Sequence, residues 1–367
     1  MPQNVVSHTP ELDTGLEDQL CFNISRDKFC VNEKLSNVLL WFRFLFLDFC
    51  DMTTSMDSSQ QKVYRFLPSA KDEGVRLDQY LPSCSDVLSR TLVRKLVDLG
   101  GVHVGGRRIR KCAHAIRAGE VVEVHVDGRP LEPFELADTH ILYRDTFLLA
   151  VNKPSGVETQ PTPARYRGTL YEALLRYLQN PFRPKDKPEL GMAQRLDRET
   201  SGVLLFSIHG RAHAGLTQAI AGRSVTKIYF ALVAGTMPTP SGEFRSLLAR
   251  NRASNLMRSV AKGGKEAITR YRVLHEWGDA SLLEVELLTG RSHQIRAHLS
   301  ESGHPLLGDV RYGGPVMVAG LDIPRQMLHS WRLTLDHPVE QRNLTIEAPL
   351  PSDFQRLVDQ FEAGSRV

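Results

Sequence analysis

The chain has 367 residues, of which 41% are hydrophobic and 24% charged, and a formal net charge of +4. That is the make-up of an ordinary globular protein with two or three domains, and it excludes collagen-like and disordered chains. All five cysteines (Cys21, Cys30, Cys50, Cys84, Cys112) lie in the first third without CxxC spacing. Neither a disulfide framework nor a structural zinc is expected, and a cytoplasmic location fits.

Residues 1–60 differ from the rest. The run "VLLWFRFLFLDFC" (38–50) is the most hydrophobic stretch of the chain. It is too short for a membrane span, carries Arg43 and Asp48, and starts too late for a signal peptide. We expect residues 1–60 to be an N-terminal extension outside the folded protein. Translation then starts at Met52 or Met56, or the segment docks on the body or on a membrane. No stable membrane association is expected.

Residues 74–126 read as a small basic module. On a helical wheel, Arg90 to Leu99 places Leu92, Val93, Leu96, Val97 and Leu99 on one side and Arg90, Arg94, Lys95 and Asp98 on the other. Gly100-Gly101 ends that helix. "VHV" and "RRI" flank Gly105-Gly106, a hairpin-turn pair. From Ser89 to Arg117 there are eight Lys or Arg and one acid. Such a run is usually a solvated face. Here a helix and the hairpin that follows it bring the charges together, which favours a polyanion. Without an aromatic ladder, phosphate and shape contacts to folded RNA suit the module better than single strands. Arg94, Lys95, Arg107 and Arg108 are the expected RNA contacts.

Residues 127–138 are proline-bearing and polar and read as a linker. From 139 to 360 short strands and a few helices mix irregularly. "ILYRDTFLLAVNKPSG" holds two strands before a turn. "TLYEALLRYLQ" is an amphipathic helix, "KIYFALVAG" and "SLLEVELL" are strands, and "DFQRLVDQFEA" is a closing helix. The expectation is an α+β fold: a largely antiparallel mixed-sheet domain behind a small α+β RNA-binding domain.

Common chemistries find no support. "AKGGKE" lacks phosphate-loop spacing, no GxGxxG follows a strand, no GxSxG is present, and His293 and His298 lack the HExxH arrangement. What remains is "NKPSG" (152–156), "QRLDRETSG" (194–202), "KIYFALVAG" (227–235) and "TGRSHQIRAHLSESGHPLLGDVRYGG" (289–314). Asp197, set between Arg195 and Arg198, has three readings. It is a surface ion-pair member, an Asx-type turn former, or a carboxylate held ionised for use as a nucleophile or electrostatic stabiliser.

These residues carry a resemblance. Val75 to Val122, with "SRTLVRKLVDLGGVHVGGRRI" its most telling part, resembles the α-L RNA-binding module. "RLDRETSG", "KIYFALV", "TGRSHQIRAHLSESGHPLLGD..YGG" and "MLHSWRLTLDHP" resemble in order four motifs of the RluA/RluD-type RNA pseudouridine synthases. The resemblance implies a pseudouridine synthase catalytic domain that isomerises uridine in ribosomal large-subunit RNA or transfer RNA. The base is cut from its sugar at nitrogen and rejoined at carbon after being taken out of its stack. No cofactor or metal is implied, and no DNA partner; a monomer is expected. Asp197 becomes the catalytic carboxylate, Arg291 its ion-pair partner, and Tyr229 a residue that stacks on the base and helps deprotonate the product. Arg195 and Arg296 become substrate contacts. Gln194 and Gln160 stand where the family usually has histidine. Two rival classes stay open: an inactive RNA-binding assembly factor, and an RNA glycosidase needing a second acid beside Asp197.

Overall fold

The computed structural model describes residues 53–56 and 62–364. The hydrophobic stretch 38–50 and Met52 lie outside the described residues. None of the described helices is long and apolar enough to cross a membrane.

The first sheet has five strands in the order β1-β2-β5-β3-β4: β1 Thr53–Met56, β2 Lys62–Phe66, β3 Val102–Val104, β4 Arg107–Arg108 and β5 Val122–Val126. Strands β1 and β2 precede Gly74, so this sheet reaches into the expected extension. Two helices cover it, α1 (Leu77–Cys84) and α2 (Arg90–Leu99). Helix α2 follows its sequence closely. The Ser89 hydroxyl accepts from Leu92 N–H, and Gly100, at φ 86, takes the left-handed cap. Val93, Leu96, Val97 and Leu99 are buried.

The main sheet has eleven strands: β6 Ile141–Arg144, β7 Leu148–Lys153, β8 Gly191–Met192, β9 Ser201–Ser207, β10 Thr226–Ala234, β11 Ser241–Arg250, β12 Met257–Ser259, β13 Lys265–Glu276, β14 Ala280–Leu287, then β17 Leu328–Asp336 and β18 Asn343–Glu347. A separate two-stranded ribbon, β15 Met317–Val318 with β16 Leu321–Asp322, lies between them in the chain. The path runs β12-β11-β13-β14-β10-β17-β9-β7-β6, with β18 on β17 and β8 on β9. Its pairings are antiparallel except for β9 with β17, so the fold is the largely antiparallel mixed α+β arrangement. Helices cover both faces: α3 (Leu170–Leu178) and α5 (Gln294–Glu301) join one apolar cluster, α4 (Gly210–Ala221) another, and the closing α6 (Ser352–Gly364) a third.

The parallel pair positions the site. Gly202, at φ 112, passes so close to β17 that a Cβ there would stand 2.1 Å from the Ser330 carbonyl oxygen. Only glycine permits that approach, and the residues just before it are drawn to the centre of the sheet.

Candidate active site

Asp197 sits on the turn entering β9, and the turn is tied down along its length. Thr159 Oγ1 donates to Leu196 O at 2.7 Å, and Thr200 N–H donates to Asp197 O at 3.1 Å. Lys153 Nζ and Gly156 N–H donate to Arg198 O at 2.8 and 3.0 Å. Arg325 donates to Glu199 O at 3.0 Å, and Gln326 to Thr200 Oγ1 at 2.7 Å. Lys153 is fully buried, and its ammonium also bonds Pro154 O and Val157 O. Burial lowers its pKa to about 7. Arg325 is held in turn by Asp353 of α6, at 2.7 and 3.0 Å. A carboxylate on so constrained a turn is pre-positioned.

The guanidinium on Asp197 is that of Arg296, which donates to Oδ2 at 2.8 Å. This differs from the expectation for Arg291, whose Nε donates to Glu266 O at 2.8 Å. The reason is local. Gln294 Oε1 accepts from Arg291 N–H at 3.1 Å, and His293 takes a left-handed conformation, φ 50, as α5 begins. The chain thereby turns Arg291 aside and sets Arg296 on the inward face of α5. Arg296 also forks onto Asp309 at 2.6 and 2.8 Å and lies over the Tyr312 ring. His293 Nε2 stands 3.9 Å from Asp197 Oδ1, while its Nδ1 shares a 2.9 Å hydrogen bond with the Tyr312 hydroxyl.

These neighbours set the charge. Burial pushes the Asp197 pKa up, but His293 and Arg296 outweigh it, and the carboxyl lies below its ordinary value. Burial also holds His293 below the usual imidazole value. At neutral pH, Arg296 therefore supplies the permanent positive charge. The resting Asp197 is an anion, suited to nucleophilic or base chemistry and unsuited to donating a proton.

Tyr229 lies on β10 beside a register shift against β17, a device that re-aims side chains. Its phenol is buried, and burial with the nearby Asp197 charge pushes it up to about 12. It is neutral at rest.

The site opens into a cleft of about 900 Å³ whose lining includes Asp197, Tyr229, Gln160, Gln194 and Arg296. Several lining cations are committed: Arg129 to Glu158, Arg198 to Glu199, Arg296 to Asp197, Arg325 to Asp353. Among the described residues, Arg195, Lys227, Arg250, Arg291 and Arg311 line the cleft without a carboxylate partner. Arg195 is exposed at the rim. That unbalanced charge favours an anionic ligand.

In the basic module the expected contacts divide. Arg107 is exposed with no partner among the described residues. Arg108 turns inward, donating to Gly100 O and to Thr162 O. Together with Asp98–Arg167 and the buried Asp127–Arg165 pair, it seats the module on residues 162–167. Arg94 shares the buried Asp78 with Arg76 and Arg90, and Lys95 faces Glu132. The charges of α2 are thus partly neutralised, by Asp78 and Glu132, which both lie outside the stretch counted above.

Among the described residues, Asp145, His337 and Glu340 have the proximity to hold a cation. Their atoms are already bonded internally. His337 Nε2 pairs with Asp145 at 3.0 Å, its Nδ1 accepts from Val339 and Glu340 N–H, and Glu340 pairs with Arg342.

The profile of the RNA pseudouridylate synthase family matches residues 147–301. The uncharacterized RNA pseudouridine synthase YlyB of Bacillus subtilis (strain 168) is 33% identical over 295 residues, covering 80% of this chain and 96% of its own. Ribosomal large subunit pseudouridine synthase D of Pasteurella multocida (strain Pm70) is 32% identical over 307 residues, covering 80% and 93%. Human RNA Pseudouridylate Synthase Domain Containing 4 shares the fold, with a TM-score of 0.52 and 24% identity over 61% of this chain and 93% of its own. The chain belongs to the RNA pseudouridine synthases: it is an enzyme that isomerises uridine in RNA.

Sequence reasoning did not single out His293, Lys153, Asp309 or Arg325. Each lies in or beside a motif-bearing stretch, and only the folded chain turns it toward Asp197, toward Arg296 or toward the turn that carries Asp197.

Proposed function

We propose that Asp197 carries out the isomerisation on a uridine flipped into the cleft. The carboxylate attacks C1′ or takes a proton from the sugar; either route breaks the N1–C1′ bond. The base then turns and C5 joins C1′; this breaks the carboxylate–C1′ bond on the first route, and on the second the sugar regains its proton from the carboxyl. One proton leaves C5 and one is gained at N1, so the composition of the RNA is unchanged. Tyr229 stacks beside the base, and Arg296 keeps Asp197 ionised. Arg195, with Arg107 of the module, meets phosphate. The substrate we favour is ribosomal large-subunit RNA, because relatives such as that of Pasteurella multocida bear that name; transfer RNA is the alternative.

The observation that carries this reading is the ionised Asp197 beneath a cleft with unpaired cations. Asp197→Asn tests it. Asparagine forms the same turn, and Arg296 keeps its pair with Asp309. Pseudouridine mapping should find no product, with thermal unfolding and RNA affinity undiminished. Activity within tenfold of wild type would place the catalytic carboxylate elsewhere.

A further inference from the structure

Among the described residues, Lys227 is the buried charged residue of the cleft whose side chain meets no partner. It is 6% exposed, lines the cleft, and has no hydrogen bond or ion pair among the described residues. It begins the inward-facing set of β10, where Lys227, Tyr229 and Ala231 are buried while Thr226, Ile228 and Phe230 are less so. Alternation therefore puts the ammonium on the same sheet face as the Tyr229 phenol, two strand steps or about 7 Å away along the backbone. Gly290 stands beside it: a Cβ there would be 3.8 Å from the Lys227 Nζ. Because Gly290 carries no side chain, the space in front of the amine stays open on that side.

The contrast with Lys153 shows what this placement leaves open. Lys153 is fully buried and commits its donors to three carbonyls. The stem of Lys227 is buried, but its Nζ is not among the buried polar atoms that lack a partner, so the ammonium tip meets the solvent of the cleft with its donors uncommitted. Burial holds its pKa below the ordinary lysine value. A ligand in the cleft can take those donors without displacing any partner in the protein.

We propose that Lys227 is a phosphate-binding residue, receiving a backbone phosphate of the RNA next to the uridine that occupies the cleft. Three features favour a phosphate over the edge of the base. The ammonium is a compact point charge with rotating donors, which suits a phosphate oxygen and reads base edges poorly. Its offset from Tyr229 along β10 is on the scale that separates a base from its own backbone. Arg291, whose backbone follows Gly290, is another lining cation without a carboxylate partner, so the charge there is not an isolated one. This inference rests on the uridine reading of the cleft.

Lys227→Met in the full chain keeps the length of the side chain and removes the charge. The probe is an unmodified large-subunit ribosomal RNA transcript, with affinity measured across a salt series and product by pseudouridine mapping. Loss of one phosphate contact should weaken binding about tenfold or more. It should also lower the log–log salt slope by about 0.7–0.9. The rate at saturating RNA should fall much less than kcat/KM, and the melting temperature should hold, because the ammonium makes no contact within the described residues. A salt slope equal to wild type would overturn the proposal. So would a lost saturating rate with unchanged affinity, which would assign Lys227 to the base, or a clear fall in melting temperature, which would make it structural. If the wild-type protein itself formed no pseudouridine in ribosomal or transfer RNA, the functional reading would fail instead.

Discussion

Arg296→Gln removes the guanidinium that sits between two carboxylates. In the native protein it donates to Asp197 at 2.8 Å and to both oxygens of Asp309 at 2.6 and 2.8 Å. The Asp309 side chain is 2% exposed and that of Asp197 28%, so the uncompensated charge falls mainly on Asp309. Breaking a buried pair from one side costs about 3–5 kcal/mol. Partial exposure of Asp197 places the expected loss near the lower figure, about 3 kcal/mol at pH 7. The pH dependence is a sharper test. Wild-type Asp197 has a lowered pKa: burial raises it, and His293 and Arg296 lower it by more. Its contribution to stability is present above the unfolded value of about 3.9 and is lost as pH falls through the folded value. Without Arg296 the folded value rises, because the guanidinium's charge and hydrogen bond both lower it while burial stays; His293 and Lys153 continue to lower it. The difference in stability between native protein and variant therefore grows as pH rises through the interval between their two folded values. Urea unfolding of both proteins at about pH 4 and 7 should show a larger penalty at the higher pH. Adding Asp309→Asn to the variant should recover most of the loss. A penalty below about 1 kcal/mol, or one equal at both pH values, would refute this account of the charge balance.

Gly202→Ala should destabilise by at least about 3 kcal/mol in denaturant unfolding, because the new methyl would meet the Ser330 carbonyl and φ is 112. Asp353→Asn releases Arg325 from α6 and should lower single-turnover rates severalfold while RNA affinity changes little; unchanged rates would mean that the Arg325–Glu199 bond does not position the turn. In the module, Arg107 and Lys111 are exposed without partners among the described residues, so changing both to Ala should lower the log–log salt slope of RNA binding by about 1.4–1.8, whereas Arg108→Ala should act through stability.

What the sequence determined by itself was local. The limits of α2 follow from Ser89, the spacing of Val93, Leu96 and Val97, and Gly100, all within one short stretch. The run from Gln194 to Gly202 left Asp197 with three local readings, and the ordered set of motifs resembling the pseudouridine synthases selected the catalytic one. The mixed, irregular order of strands and helices was enough to favour an antiparallel sheet over a doubly wound one. The partner of Asp197 was a different kind of question. Arg291 and Arg296 stand in the same motif, both about a hundred residues from Asp197, and composition treats them alike. Only the left-handed His293 and the start of α5 decide that one faces Glu266 and the other Asp197. Likewise Arg108 and Arg107 are adjacent cations in a hairpin, yet the docking of residues 162–167 turns one inward and leaves the other in solvent. Side-chain charge is written in the sequence; which charges meet depends on the direction each side chain takes from its backbone, and that is set by contacts between segments far apart in the chain.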